Sequence, residues 1–164
     1  MNRFRSPAAI GVLGFSVRLG VAFLSLPGPA VAAVCTWEGG NSVWSSPGNW
    51  SCAAVPGNAD DAVLNTDDNL DLDVAATVQK FTLASASAVL QGSGTLTSNS
   101  AFDLQSGTVS GSGVLTSNTT YNLQSGSIET ALAGNVGINK TTAGTVTLSG
   151  TTATPARPRL TPGP

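Results

Sequence analysis

The sequence predicts an all-β protein: a right-handed parallel β-helix, or solenoid, closed at its amino-terminal end by a cap of tryptophans and one disulfide. Three observations predict it. Residues 90–108 (LQGSGTLTSNSAFDLQSGT) and 109–127 (VSGSGVLTSNTTYNLQSGS) align without a gap at a period of 19, so that GSG, LTSN and LQSG recur. Apolar residues are spaced by two rather than by three and four, and β-branched residues and glycine dominate, which favours strands over helices of any useful length. Both cysteines and all three tryptophans fall in a short segment ahead of the repeat.

Residues 1–33 have the layout of a secretory signal peptide. Arg3, Arg5 and Arg18 precede the apolar run Leu19–Leu26, then Pro27-Gly28-Pro29 and the small residues Ala30-Val31-Ala32-Ala33. Cleavage after Ala30-x-Ala32 starts the mature chain at Ala33, and Val31-x-Ala33 is nearly as good a site. A membrane anchor fits less well, because Arg18 splits a run already short of the roughly 20 apolar residues that a spanning helix needs. A lipoprotein signal is disfavoured by Val34, which stands before Cys35 where Gly, Ala or Ser is usual. No transmembrane helix is expected in the mature chain.

Residues 34–65 form the expected cap, rich in Trp, Gly, Ser, Asn and Pro. In an exported chain Cys35 and Cys52 most simply pair as one disulfide. On the chain-entropy model, closing that loop contributes about 3 kcal/mol. Residues 66–150 form the expected β-helix. It opens on an acidic stretch in which Leu70-Asp71-Leu72-Asp73-Val74 alternates as a strand, with Asp71 and Asp73 on one face. Further strands are expected at Phe81–Leu83, Thr95–Thr97, Val114–Thr116 and Thr145–Leu148. Within the repeat Gly92, Leu96, Phe102, Leu104 and Gly107 map onto Gly111, Leu115, Tyr121, Leu123 and Gly126. Ile128 opens a less exact unit as Val109 opens the one before, and Phe81-Thr82-Leu83 marks an imperfect earlier one. A period this short without a helix means one solenoid coil per repeat, each covering its neighbour about 4.8 Å away. Leu96, Leu104, Leu115 and Leu123 should point inward. A flexible Ser/Gly linker has no need for apolar residues in fixed register.

Residues 151–164 are unlike the rest, with four prolines and two arginines after Gly150, and are expected to be a disordered tail. Read one base earlier, the codons of residues 152–164 permit Asn-Ser-Tyr-Thr-Gly-Ala-Thr-Thr-x-Asn-Ala-Gly-Thr, so the tail is expected to be a frameshifted reading of a continuing repeat. A genuine Pro-rich terminus is the alternative.

The printed net charge of −2 hides a segregation. All five arginines lie in the first eighteen or last eight residues, so residues 34–150 hold Lys80 and Lys140 against all nine acids, a net charge of −7. Without a basic face such a body cannot track a phosphate backbone, and nucleic acid is excluded as a partner. The absence of histidine removes His-dependent triads and His-ligated metals.

Two further strings carry a resemblance. Cys35-Thr36-Trp37-Glu38-Gly39-Gly40, Trp44-Ser45, Asn49-Trp50-Ser51-Cys52, Val55-Pro56-Gly57 and Asp60-Asp61-Ala62-Val63-Leu64 resemble the amino-terminal segment of large bacterial surface proteins built on β-helical passengers. Residues 137–150 (GINKTTAGTVTLSG) resemble the first half of the autotransporter-associated β-strand repeat. Together they bracket almost the whole expected mature chain. The resemblance implies an exported adhesin-like or autotransporter passenger, secreted or at the bacterial surface, engaging a host or cell-surface glycan or protein. The long solenoid and translocating barrel or sorting signal of that family do not follow in these 164 residues, so no mode of attachment is named.

Trp37, Trp44 and Trp50 can be read in two ways. They plug the open end of the solenoid, which must be covered, or they form a ligand-binding platform on which sugars stack, making the chain a carbohydrate-binding module. The terminal position favours the plug. Asp67, Asn69 and Asp71 have the first spacings of a calcium loop, but Leu72 and Val78 stand where its Gly and bidentate Glu belong, so no metal or other cofactor is expected. Polysaccharide lyases share the β-helix and use a basic residue to take a proton. Here Lys80 and Lys140 are the candidates, while Asp103 and Glu129 are the isolated carboxylates that a glycosidase would have to bring together. Nothing in the sequence assembles either set, and the chain is expected not to be an enzyme.

Overall fold

The computed structural model describes residues 32–150; residues 1–31 of the expected signal peptide, and residues 151–164 with the expected frameshift reading, lie outside them. Within the described residues, sixteen short strands make three parallel sheets, the three faces of a solenoid of about 5 turns. The first face stacks β1 (Val34–Thr36), β3 (Asp61–Leu64), β6 (Lys80–Leu83), β9 (Ala101–Leu104), β12 (Thr120–Leu123) and β15 (Gly137–Asn139). The second stacks β2 (Ser42–Val43), β4 (Asn69–Leu72), β7 (Val89–Gly92), β10 (Thr108–Val109), β13 (Gly126–Ile128) and β16 (Val146–Leu148). The third stacks β5 (Ala76–Val78), β8 (Thr95–Ser98), β11 (Val114–Ser117) and β14 (Ala131–Ala133). A single 3-10 turn, Pro47–Asn49, is the helical element among the described residues, and no helix there is long and apolar enough to cross a membrane.

The 19-residue alignment is the register of the sheets. Leu96 pairs with Leu115, Phe102 with Tyr121, Leu104 with Leu123 and Val109 with Ile128. Phe81 pairs with Phe102, which makes the imperfect earlier unit a full coil. Strand period two sends alternate residues inward, so the core is a set of one-residue-per-coil columns: Leu64, Leu83, Leu104 and Leu123 on one, and Leu70, Leu90, Val109 and Ile128 on another. Each buried leucine contributes about 1.5–3 kcal/mol.

The recurring motifs have structural causes. Gly111 adopts φ 101°, and a Cβ there would run into the Gly92 carbonyl, so the second-to-third-face corner admits little but glycine. In LTSN the serine is buried at the corner leading back to the first face. Ser98 Oγ donates to the Ala101 carbonyl at 2.6 Å and Ser117 Oγ to that of Thr120 at 2.7 Å. The asparagine that follows faces out and builds a ladder, Asn118 Nδ2 donating to Asn99 Oδ1 at 3.2 Å.

Cys35 and Cys52 are bonded, with Cα atoms 5.1 Å apart. The segment expected as cap also supplies β1, β2 and β3, so the solenoid begins inside it. The expected strand at residues 70–74 is corrected at its end: β4 stops at Leu72, and Asp73 lies beyond it in the corner that follows. Its carboxylate is held by the Ser45 backbone N–H at 3.1 Å and the Ser45 hydroxyl at 2.6 Å, tying the cap to the corner after β4.

Candidate binding face

The three tryptophans are brought together, but inside. Trp37 and Trp44 are 0% exposed and Trp50 2%. Trp50 meets Trp37 and Trp44 edge to face, with centroids 5.0 and 4.7 Å apart, and its Nε1–H donates to the Trp44 carbonyl at 3.0 Å. Trp44 lies 5.9 Å from Phe81, which stacks on Phe102 at 5.5 Å, which in turn lies 6.1 Å from Tyr121. The column runs from the cap through the coils because Ala62 leaves room at the level where Phe81, Phe102 and Tyr121 follow. As a sugar platform the three indoles are therefore corrected: no ring face is open, and burial of this size is core packing.

The polar side chains of the first face are spent on one another. Lys80 Nζ lies 2.9 Å from Asp103 Oδ2, Asn122 Nδ2 donates to Asp103 Oδ1 at 2.7 Å, and Asn139 Nδ2 donates to Asn122 Oδ1 at 3.3 Å. Lys140 is exposed and bonds Thr142 in the turn between β15 and β16. Asp103 sits on the first face while Glu129 follows β13 on the second, so the solenoid keeps the two carboxylates on different faces. Asp67 accepts from the Ser85 hydroxyl, and among the described residues no three acids or cysteines converge on a metal-sized space.

The second face differs. At its amino-terminal end a shallow groove is lined by Asn41, Ser42, Val43, Asn69, Asp71 and Gln91. Further along, a wider one is lined by the hydroxyls of Ser106, Thr108, Ser125, Ser127, Thr145 and Thr147. Register explains both: Asn69, Val89, Thr108, Ser127 and Thr147 form one outward row, a residue per coil, and Asp71 and Gln91 are neighbours on another. Ser127 Oγ donates to Thr108 Oγ1, and Ser106 and Ser125 donate to the carbonyls of Ala84 and Gln105, whereas among the described residues the side chains of Asn69, Asp71, Gln91 and Thr147 make no hydrogen bond. Where the second and third faces meet, a hollow beside Leu72, Leu96 and Leu115 holds about 20 Å³, room for one water and no ligand.

No family model, curated protein or solved structure matches the chain. What the geometry establishes is a disulfide-tied β-solenoid with an internal aromatic column and a second face on which the side chains of Asn69, Asp71 and Gln91 make no hydrogen bond among the described residues. Sequence reasoning had no means to find the groove, since Asn41 reaches Asn69 across 28 residues of irregular first coil. The pairing of Asp71 with Gln91 follows only from the register.

Proposed function

We propose that the chain is an exported, non-catalytic structural or adhesion protein, part of a β-helical surface passenger of the autotransporter kind, which engages an extended polar partner along its second face. The observation that supports this reading is the groove at the amino-terminal end of that face, where the side chains of Asn69, Asp71 and Gln91 make no hydrogen bond among the described residues and Asp71 and Gln91 sit side by side on successive coils. An extended glycan or peptide presents donors and acceptors along its length and matches groups on successive coils better than a compact molecule does. A neutral glycan is the favoured class, because Asp71 and the acidic body repel anionic polymers. The carbohydrate-binding alternative thus moves from the tryptophans to the groove beside Asn41, Asn69 and Gln91.

Export is supported by the disulfide, which belongs to oxidising compartments. The backbone N–H of Ala33 lies 3.0 Å from Asp60 Oδ1, and its carbonyl accepts from Asp61 N. Cleavage after Ala32 would leave an ammonium on that carboxylate, whereas cleavage one residue later would remove both contacts.

A glycan array with the folded chain tests the reading. Binding is expected, and Asp71→Ala with Gln91→Ala should weaken it at least about tenfold, the loss of two hydrogen bonds. Lys80→Ala on the first face should leave it intact. Binding that ignores the second-face pair, or that yields to Lys80→Ala alone, would reject this face.

A further inference from the structure

We infer that cleavage of the Ala32–Ala33 bond is a stabilising modification of the cap, because the new α-ammonium of Ala33 docks on the Asp60 carboxylate. The inference rests on the export reading and deepens it. Ala33 N lies 3.0 Å from Asp60 Oδ1. While the peptide bond is intact, that nitrogen is a neutral amide with one proton to donate. After cleavage the same atom is an α-amine, mostly protonated at pH 7, with a positive charge and three donors. A charge-assisted bond of this kind is roughly twice as strong as a neutral one.

The acceptor is already held in place. Asp60 Oδ2 accepts from the Gly57 N–H at 2.9 Å, Asp60 N donates to the Gly57 carbonyl at 2.9 Å, and the Asp60 carbonyl accepts from Gln79 N at 2.8 Å. Ala33 is fixed as well, since its carbonyl accepts from Asp61 N at 2.8 Å and the residue packs against the core. Exposed ion pairs are weak in part because two long side chains must be immobilised. Here one partner is backbone and the other a short side chain tied into a turn, so little freedom is lost. Ala32, by contrast, is exposed, and the chain passes from exposed to packed across the scissile bond.

Charge makes the ammonium matter. Residues 33–79 hold seven of the nine acids and no Lys or Arg. The α-ammonium is therefore the one cation of this acidic stretch, and it arises beside Asp60 and Asp61. Arg3, Arg5 and Arg18 lie in the segment that cleavage removes. Cleavage after Ala33 would delete both the nitrogen that reaches Asp60 and the carbonyl that Asp61 N uses. The geometry thus separates two cleavage sites that the sequence leaves nearly equal.

The first test exports the full chain from a bacterium under its own leader and reads the mass of the product. A start at Ala33 is expected. A chain kept in the cytoplasm, or still beginning at Met1, would reject the export reading and the inference with it. A product beginning at Val34 or elsewhere would leave export standing and overturn the inference alone. The second test compares oxidised chains beginning at Ala32 and at Ala33 by hydrogen exchange in β1 and β3. The Ala33 chain should exchange about two- to fivefold more slowly, the range for a partly exposed ion pair. Acetylating its α-amine should erase the difference. So should Asp60→Asn, which keeps an acceptor for the Gly57 N–H but no charge. Equal exchange in the two chains, or a gap that survives acetylation or Asp60→Asn, would overturn the inference while leaving export untouched.

Discussion

Tyr121 shows how much a single hydroxyl decides. The repeat places it where Phe102 stands one coil earlier, and its ring continues the aromatic column. Its oxygen accepts from the Ser117 N–H at 2.9 Å and lies 2.7 Å from the carbonyls of Leu115 and Ala133, donating its one proton to either. Burial pushes its titration above the ordinary tyrosine range, against the opposing effect of the hydrogen bonds at Ser117 and Ala133. Because the folded value is raised, the contribution is whole below the unfolded value near pH 10 and is lost as pH rises through the folded one. Tyr121→Phe strands a buried N–H and should cost about 1–3 kcal/mol at neutral pH. It should also remove part of the alkaline loss of stability. Denaturant unfolding at neutral and alkaline pH checks both effects, and midpoints equal to the parent's at each pH would show that the hydroxyl is dispensable.

Among the elements, the cap depends most on covalent and charge-assisted ties. Its loop is closed by Cys35–Cys52 over 17 residues, worth about 3 kcal/mol on the chain-entropy account. Solenoids are held by nearest-neighbour stacking, so their ends are the first parts to open. Reduction should therefore strip hydrogen-exchange protection from residues 36–64 before residues 80–128 respond, and uniform loss along the chain would contradict this order. The second tie is Asp73. Hydrogen bonds from Ser45 hold its carboxyl below the usual range, outweighing a small opposing effect of burial. The folded value is depressed, so this contribution is present above the unfolded value near pH 4 and disappears as pH falls through the folded one. Ser45→Ala should make cap exchange less sensitive to acid in that window.

For the whole molecule, stability should follow position along the stack. Leu104 is wholly buried between Leu83 and Leu123, whereas Leu148 has no coil over it among the described residues and is 45% exposed. Leu104→Ala should cost about 2–5 kcal/mol, as cavities in close-packed cores do. Leu148→Ala should cost well under half of that, since far less area leaves water when Leu148 packs. Thermal or denaturant melts of the two variants measure the difference. Equal losses would mean that the last coil is as enclosed as the middle ones.

The 19-residue spacing and the alternation of apolar residues were enough to determine parallel coils, the pairing of residues 90–108 with 109–127, the inward leucines and the single disulfide. These are local or repeated properties: a strand's period decides in from out, and identical units stack in identical register. Tertiary structure alone decided which outward rows share a face and which polar groups are free. Coil length varies, from 28 residues between Asn41 and Asn69 to 19 between Asn99 and Asn118 and 17 between Asn122 and Asn139. Small changes at the corners therefore shift a residue between faces while its strand pattern stays the same. That is why Asp73 left the strand to hold Ser45, and why the first-face acid and amides are consumed by Lys80 and by one another while Asp71 and Gln91 stay free. The fate of the tryptophans was likewise a tertiary matter, because composition marks large aromatics near an end but only packing against Phe81 says that they face inward.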